Sequence, residues 1–214
     1  DVQRGEPQRD QHHHGPMILS ICIATVPERA AEFALLHAEL SRQAKGLPVE
    51  IVVDAAPRGT ITIGAKRQAL NEKATGSYVV HIDDDDWVPP EYVATILTAL
   101  ESGPDCVGHY ELVEGVDASP KIAIWSNRCV KWQEGPRVMQ QYGTHYARTP
   151  FHKTPLSRAH ALAIGFNDLS FAEDHDFSQR LKASGRCRAE AFIPRVLYFY
   201  RYRFEDHNTK FGIK

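Results

Sequence analysis

No stretch of this 214-residue chain approaches the roughly 18 consecutive apolar residues that a membrane-spanning helix needs. No apolar core of a secretory leader is visible either. Cysteine is sparse: Cys22, Cys106, Cys129 and Cys187 lie far apart and form no C-x-x-C pair. That excludes the usual zinc spacing and reads as reduced thiols in a cytoplasmic protein. Internal repeats are missing, and no G-x-G-x-x-G follows the first apolar strand, which removes the dinucleotide fingerprint. The apolar and charged fractions, 43% and 24%, are those of an ordinary globular domain, and the length suits one such domain with a sizeable core.

Charge of one sign is also missing, since 25 cationic side chains nearly balance 27 anionic ones. The balance is uneven along the chain. Residues 1–120 carry 9 Lys+Arg against 19 Asp+Glu, and residues 121–214 carry 16 against 8. An acidic half suits a metal, and a basic half suits an anionic partner such as a phosphate, a nucleic acid or an acidic glycan.

Residues 1–16 are polar and without periodicity, with three consecutive histidines, and read as a disordered tail or a tag remnant. Residues 17–214 read as a single domain. Ile18 to Thr25 predicts a buried strand, and Pro27 opens a helix that runs to about Gln43. Val49 to Asp54 predicts a second strand, and Ile63 to Thr75 a helix with Gly76 as its left-handed cap. Tyr78 to Ile82 predicts a third strand, and Pro89-Pro90 start a helix to about Glu101. This β-α-β-α-β-α alternation argues for a parallel sheet covered by helices over 17–104. The half from 105 to 214 is less regular. Cys106–Val113 and Lys121–Trp125 read as paired strands, and 126–153 as loop. Leu156–Ile164 and Ala172–Ser184 read as helices, and Arg195–Tyr202 as a late strand.

The third strand ends in Asp83-Asp84-Asp85-Asp86. Four adjacent carboxylates repel one another, so stability alone gives no reason to gather them. A hard divalent cation gives one, because Mg²⁺ or Mn²⁺ prefers oxygen ligands. Such a cation would in turn hold an anion, most simply a diphosphate. The plain alternative is a solvated acidic loop.

Taken together these pieces resemble the GT-A nucleotide-sugar glycosyltransferases, and most closely their large inverting family 2, over roughly residues 17–207. Four segments carry the resemblance. Ser20 to Arg29 looks like the opening strand whose end holds the nucleotide base, with Thr25, Pro27, Glu28 and Arg29 lining that pocket. Asp54 is similar to the acid that accepts from uracil N3–H, or is a strand-end turn former. Gly64-Ala65-Lys66-Arg67-Gln68 resembles the family's Ala-Arg-Asn segment, which implies that Lys66 or Arg67 faces the nucleotide phosphates near a helix start. Asp83-x-Asp85 resembles the D-x-D motif. It implies Asp85 on the metal, Asp83 on the ribose or in the metal's shell, and Asp84 beside the donor. Phe171 to Phe177 resembles the segment with a Glu-Asp pair, which implies Asp174 as general base and Glu173 as its neighbour, positioning the acceptor. Acids in a first helical turn also simply favour the helix dipole. His207 resembles the carboxyl-terminal histidine that closes the metal site in many such enzymes.

The resemblance therefore implies a mixed α/β GT-A fold, a metal-dependent inverting hexosyltransferase, a UDP-sugar donor and Mn²⁺ or Mg²⁺. It further implies that residues 142–160 would carry Tyr146, Phe151, His152 and Lys153 toward donor and acceptor, with Lys153 neutralising diphosphate charge. Trp125 and Trp132 stack on a sugar or base, or fill the core. Small viral enzymes of this kind glycosylate hydroxymethylated bases in DNA, while others build glycans, so a DNA base or a glycan hydroxyl are both acceptor candidates. The rivals are a nucleotidyltransferase, whose Gly-rich loop is missing after the first strand, and a silent sugar-nucleotide-binding module.

Overall fold

Along the first strand Leu19, Ile21 and Ile23 enter one apolar cluster and Cys22 enters another, as expected for a strand buried on both faces. The protein is described by a computed structural model over residues 16–115, 120–129, 138, 139 and 141–201. The amino-terminal histidines, Trp132 and His207 lie outside the described residues. β1 (Leu19–Ala24) is flanked by β2 (Val49–Asp54) and β3 (Tyr78–His81), both parallel to it. Pro27–Arg29 form a 3-10 turn that feeds α1 (Ala30–Ala44); α2 (Ile63–Lys73) and α3 (Tyr92–Leu100) complete the alternation. Thr62 caps α2 by accepting the Ala65 N–H at 3.0 Å.

Gly76 is not the left-handed cap expected of it, because its φ is not positive. α2 ends at Lys73, and Gly76 instead lets the chain pass β1 closely. A Cβ there would lie 2.7 Å from Ser20 Oγ and 2.9 Å from the Leu19 carbonyl carbon.

The second half makes the sheet mixed. β4 (Cys106–Glu114) and β5 (Lys121–Trp125) pair antiparallel, as their sequence suggests. β6 (Gly143–Arg148) runs parallel to β5 inside a stretch read as loop. β7 (Leu156–Ser157) is a two-residue strand ahead of α4 (Arg158–Ile164), and it joins β3 to β4. After α5 (Glu173–Ser184), β8 (Glu190–Arg201) pairs parallel with β4. The sheet order is β2-β1-β3-β7-β4-β5-β6, with β8 on β4. The β4–β8 register jumps from Ile193 to Val196, so Pro194, with no N–H to give, sits at a bulge.

The clusters on the two sides of β1 draw on different helices. Leu36, Leu40, Tyr92, Val93 and Ile96, from α1 and α3, pack with Leu19, Ile21 and Ile23. Leu70, Ala161, Phe177 and Leu181, from α2, α4 and α5, pack with Cys22, and Phe166 stacks on Phe177 at 4.3 Å. Each leucine, isoleucine, valine or phenylalanine among them contributes about 1.5–3 kcal/mol when fully buried. Both faces of the parallel strands are thereby covered, which leaves their carboxyl ends as the open edge where ligands collect. Among the described residues no helix is long and apolar enough to cross a membrane.

Candidate active site

The acidic run is a tight turn, closed by the Asp86 N–H donating to the Asp83 carbonyl at 3.1 Å. The turn sends the four carboxylates to different partners. Asp83 accepts from Arg67 Nη2 at 2.9 Å and lies 3.3 Å from His152 Nε2. Asp84 accepts from Thr25 Oγ1 at 2.7 Å and from Arg29 Nη1 at 2.8 Å. Asp85 lies 3.1 Å from the same Arg29 nitrogen. Asp86 accepts from Lys153 Nζ at 2.9 Å and from the Tyr198 hydroxyl at 2.7 Å. Trp87 then exchanges two backbone hydrogen bonds with Phe199, which pins the end of the run to β8.

Much of the mutual repulsion of these acids is offset by the chain's own cations. Their proximity therefore does not by itself demand a metal ion, contrary to the argument from sequence. Burial raises the Asp83 carboxyl, but Arg67, His152 and Lys153 prevail and hold it well below the usual carboxylate range. Asp85 goes the other way: burial lifts it, Arg29 opposes, and Asp83 and Asp84 add to the rise. Asp86 is pushed up to about 7, mainly by burial, against the pull of Lys153.

A cleft of about 710 Å³ opens at this edge. Thr25 and Arg29 come from the end of β1, Lys66 and Arg67 from α2, Asp83, Asp84 and Asp85 from the turn, and Glu173 and Asp174 from the start of α5. The structure thus brings most of the residues expected from sequence to one cavity. Pro27, Glu28, Asp54 and Lys153 are not part of its lining. Asp54 accepts the Ala56 N–H at 2.9 Å, and Lys66 Nζ lies 3.9 Å from it. Lys66 donates to the carbonyls of Thr25 and Ala56, so its ammonium clamps the ends of β1 and β2. Lys153 is buried beneath the turn, between Asp86 and Glu111 and over the rings of Tyr198 and Tyr200. Trp125 is also in the core, stacked on Phe151 and donating to Glu111.

α5 begins under strain. Ala172 has φ 59°, the left-handed region, alone among the described non-glycine residues. That conformation costs about 1–2 kcal/mol in an L-residue. It turns Glu173 and Asp174 into the cleft from the first turn of the helix, where the dipole favours anions. Glu173 accepts from Arg67 Nε at 3.1 Å. Asp174 lies 3.4 Å from both terminal nitrogens of Arg148, which is buried over the Trp125 and Phe151 rings. Burial would raise the Asp174 carboxyl, but His152, Arg148 and Arg67 outweigh it and keep the group below its ordinary value.

Arg148, Arg58, Ile61 and Phe171 are site residues that sequence reasoning did not single out. Arg58, Ile61 and Phe171 line the cleft, and Ile61 and Phe171 leave apolar surface exposed at its mouth. The one sequence hint for Arg148 is a cation closing a short β-like run before Pro150. Among the described residues no three His, Cys, Asp or Glu side chains converge as a ready metal site. His207, the third ligand expected, lies outside those residues.

A parallel half that ends in an acidic turn, joined through a mixed sheet to a half that supplies a facing carboxylate, is the GT-A architecture of glycosyltransferases. The glycosyl transferase family 2 model matches residues 37–157, more than half of the chain, and the chain belongs to that family. Solved structures agree on the fold. S. aureus TarS residues 1–349 superimpose with a TM-score of 0.60 at 14% identity, covering 86% of this chain and 60% of that one. The same TarS fragment in complex with UDP-GlcNAc gives 0.60 at 15% identity, covering 87% and 59%. A longer TarS structure gives 0.60 at 15% identity, covering 90% and 38%. The chain therefore spans about three-fifths of the TarS fragment and less of the longer protein. No curated protein matches it in sequence.

Proposed function

We propose that this family 2 enzyme transfers a sugar from a uridine diphosphate donor to an acceptor hydroxyl, with inversion at the anomeric carbon and with Mn²⁺ or Mg²⁺ as cofactor. The observation that carries the reading is that Asp85 and Asp174, on unrelated elements, line one cleft of nucleotide-sugar size. The TarS fragment has been captured with UDP as well as with UDP-GlcNAc, which supports the uridine donor.

In this reading the nucleobase lies at the end of β1, by Thr25 and Val26, while Asp54, outside the cleft lining, serves as the turn former after β2. Arg29 and Asp85 face the diphosphate. Asp85 fits a hard cation, because it lines the cleft and its carboxyl is lifted by burial and by Asp83 and Asp84 against the pull of Arg29, a rise that a bound cation would relieve. Mg²⁺ is commonly held by one or two carboxylates plus substrate phosphates rather than by an all-protein cage. Asp85 would hold it, with Asp83 in its shell and His207 as a third ligand. The bound cation supplies Lewis-acid stabilisation of the departing diphosphate.

Asp174 takes the proton of the acceptor hydroxyl while that oxygen bonds to the anomeric carbon. The bond from that carbon to the β-phosphate oxygen breaks, and UDP leaves. The cations around Asp174 keep it ionised, as a base must be, and lower its basicity in return. Single displacement fits because Asp174 can serve as the base and no separate nucleophile stands out among the described residues. The acceptor is a hydroxyl of a glycan or of a hydroxymethylated DNA base, and the exposed Phe171 and Ile61 offer it an apolar ledge.

Calorimetric titration with UDP tests the donor and metal assignments. Affinity should fall at least about tenfold, or 1.4 kcal/mol, when Mn²⁺ is removed. Asp85→Ala should bind UDP at the weak level whether or not Mn²⁺ is present. Equal affinity in all four titrations would sink the metal assignment, and no UDP binding at all would sink the donor.

A further inference from the structure

Arg67 is placed differently from a phosphate ligand. It is 5% exposed, and two of its nitrogens are committed to carboxylates on opposite sides of the cleft. Nη2 holds Asp83 at 2.9 Å, on the donor turn, and Nε holds Glu173 at 3.1 Å, the residue before Asp174. A guanidinium is planar and rigid, so a shift of one carboxylate is passed to the other.

The helix that carries Arg67 also holds the segment leading into α5. The Gly64 N–H donates to the Leu169 carbonyl at 3.0 Å, and Thr62 donates to Asp168. Gln68 Oε1 accepts the Phe166 N–H at 2.9 Å. A Cβ on Gly64 would lie 2.0 Å from the Asn167 carbonyl oxygen, so the two segments are in backbone contact. The strained Ala172 lies between this anchored segment and Glu173.

We propose that Arg67 is a positioning residue that couples the donor site to the base: by bridging Asp83 and Glu173 it sets the first turn of α5, and with it Asp174, according to the state of the donor turn. The coupling rests on the donor and base roles proposed above. Lysine at this position keeps the charge but presents one point instead of a fork, so it cannot hold both carboxylates in the same geometry.

The test compares wild type, Arg67→Lys, Glu173→Gln and the double variant. Three readouts are taken: UDP affinity by calorimetry, kcat and donor KM for UDP-sugar turnover, and amide hydrogen exchange over residues 172–177 with and without UDP. Arg67→Lys should lose about 10²-fold in kcat, the scale of an ångström-level misplacement, with UDP affinity and donor KM within about 3-fold. Exchange at 172–177 should slow on UDP binding in wild type and not in Arg67→Lys. The double variant should be no slower than Arg67→Lys, because both changes cut the same bridge. A merely structural arginine would instead lower kcat and UDP affinity together and add to the Glu173→Gln effect, which overturns the proposal. Wild type that binds UDP while Arg67→Lys matches it in kcat and exchange overturns the coupling alone. Wild type that binds no UDP overturns the donor reading and the coupling with it.

Discussion

Lys153 illustrates what happens to charge at the level of single residues. Its ammonium is buried among Asp86, Glu111 and, at 3.7 Å, Asp83. Lys153→Met would strand Asp86 and Glu111 in the core, and breaking a buried ion network in this way costs about 3–5 kcal/mol. Urea unfolding should show that loss, and a change under 1 kcal/mol would mean the network is not closed in solution. Asp86 gives a pH signature. Its carboxyl is raised to about 7 when folded, chiefly by burial, so between about pH 4 and 7 the folded state holds a proton that the unfolded chain has released. This contribution to stability is present at low pH and lost as pH rises through 7. Asp86→Asn has no such proton to lose, so its stability relative to wild type should improve over that window. A pH-independent difference would refute the raised value. The chemical character of these residues was legible in the sequence, and the acidic turn stood out at once. Their partners were not: Arg29 and Lys153 reach the run from 55 and 67 positions away. Without those cations in view, the repulsion looked larger than it is.

The individual elements were legible where periodicity is strong. β1 and β2 are short apolar runs and α1 has helical apolar spacing, and their predicted bounds agree with the structure within a few residues. β6 and β7 were not legible. β6 is interrupted by polar residues between Gly143 and Pro150, and the two residues of β7 adjoin a helix whose pattern absorbs them. Gly76 was misread because a glycine after a helix usually supplies a left-handed cap, whereas here it is demanded by close approach to β1. Gly64 is a second such position, where α2 meets the chain ahead of α5. Gly64→Ala must push the Asn167 backbone away, and overpacking of this kind costs about 1–3 kcal/mol. Thermal unfolding should record a lower Tm for the variant, and turnover should fall more than UDP affinity does. An unchanged Tm would show that the two segments are further apart than described.

For the molecule as a whole, function depends on two halves sharing one edge. The parallel half carries the acidic turn, β7 and β8 tie it to the second half, and α5 returns Asp174 to the cleft. The family match ends at residue 157, before Asp174, so the proposal of Asp174 as base rests on its place in the cleft and on the likeness of its segment to the family's Glu-Asp pair. A panel of UDP-glucose, UDP-galactose, UDP-N-acetylglucosamine and GDP-mannose, followed by release of the nucleoside diphosphate with Mn²⁺, with and without glycan or hydroxymethylated DNA, tests the central claim most directly when wild type and Asp174→Asn are run side by side. Wild type should turn over at least one UDP-sugar. In Asp174→Asn, UDP affinity should stay within about 3-fold and transfer should fall by about 10²-fold or more, the scale of a lost general base. Transfer by Asp174→Asn at the wild-type rate, or no turnover of any UDP-sugar by wild type, would contradict the proposed reaction.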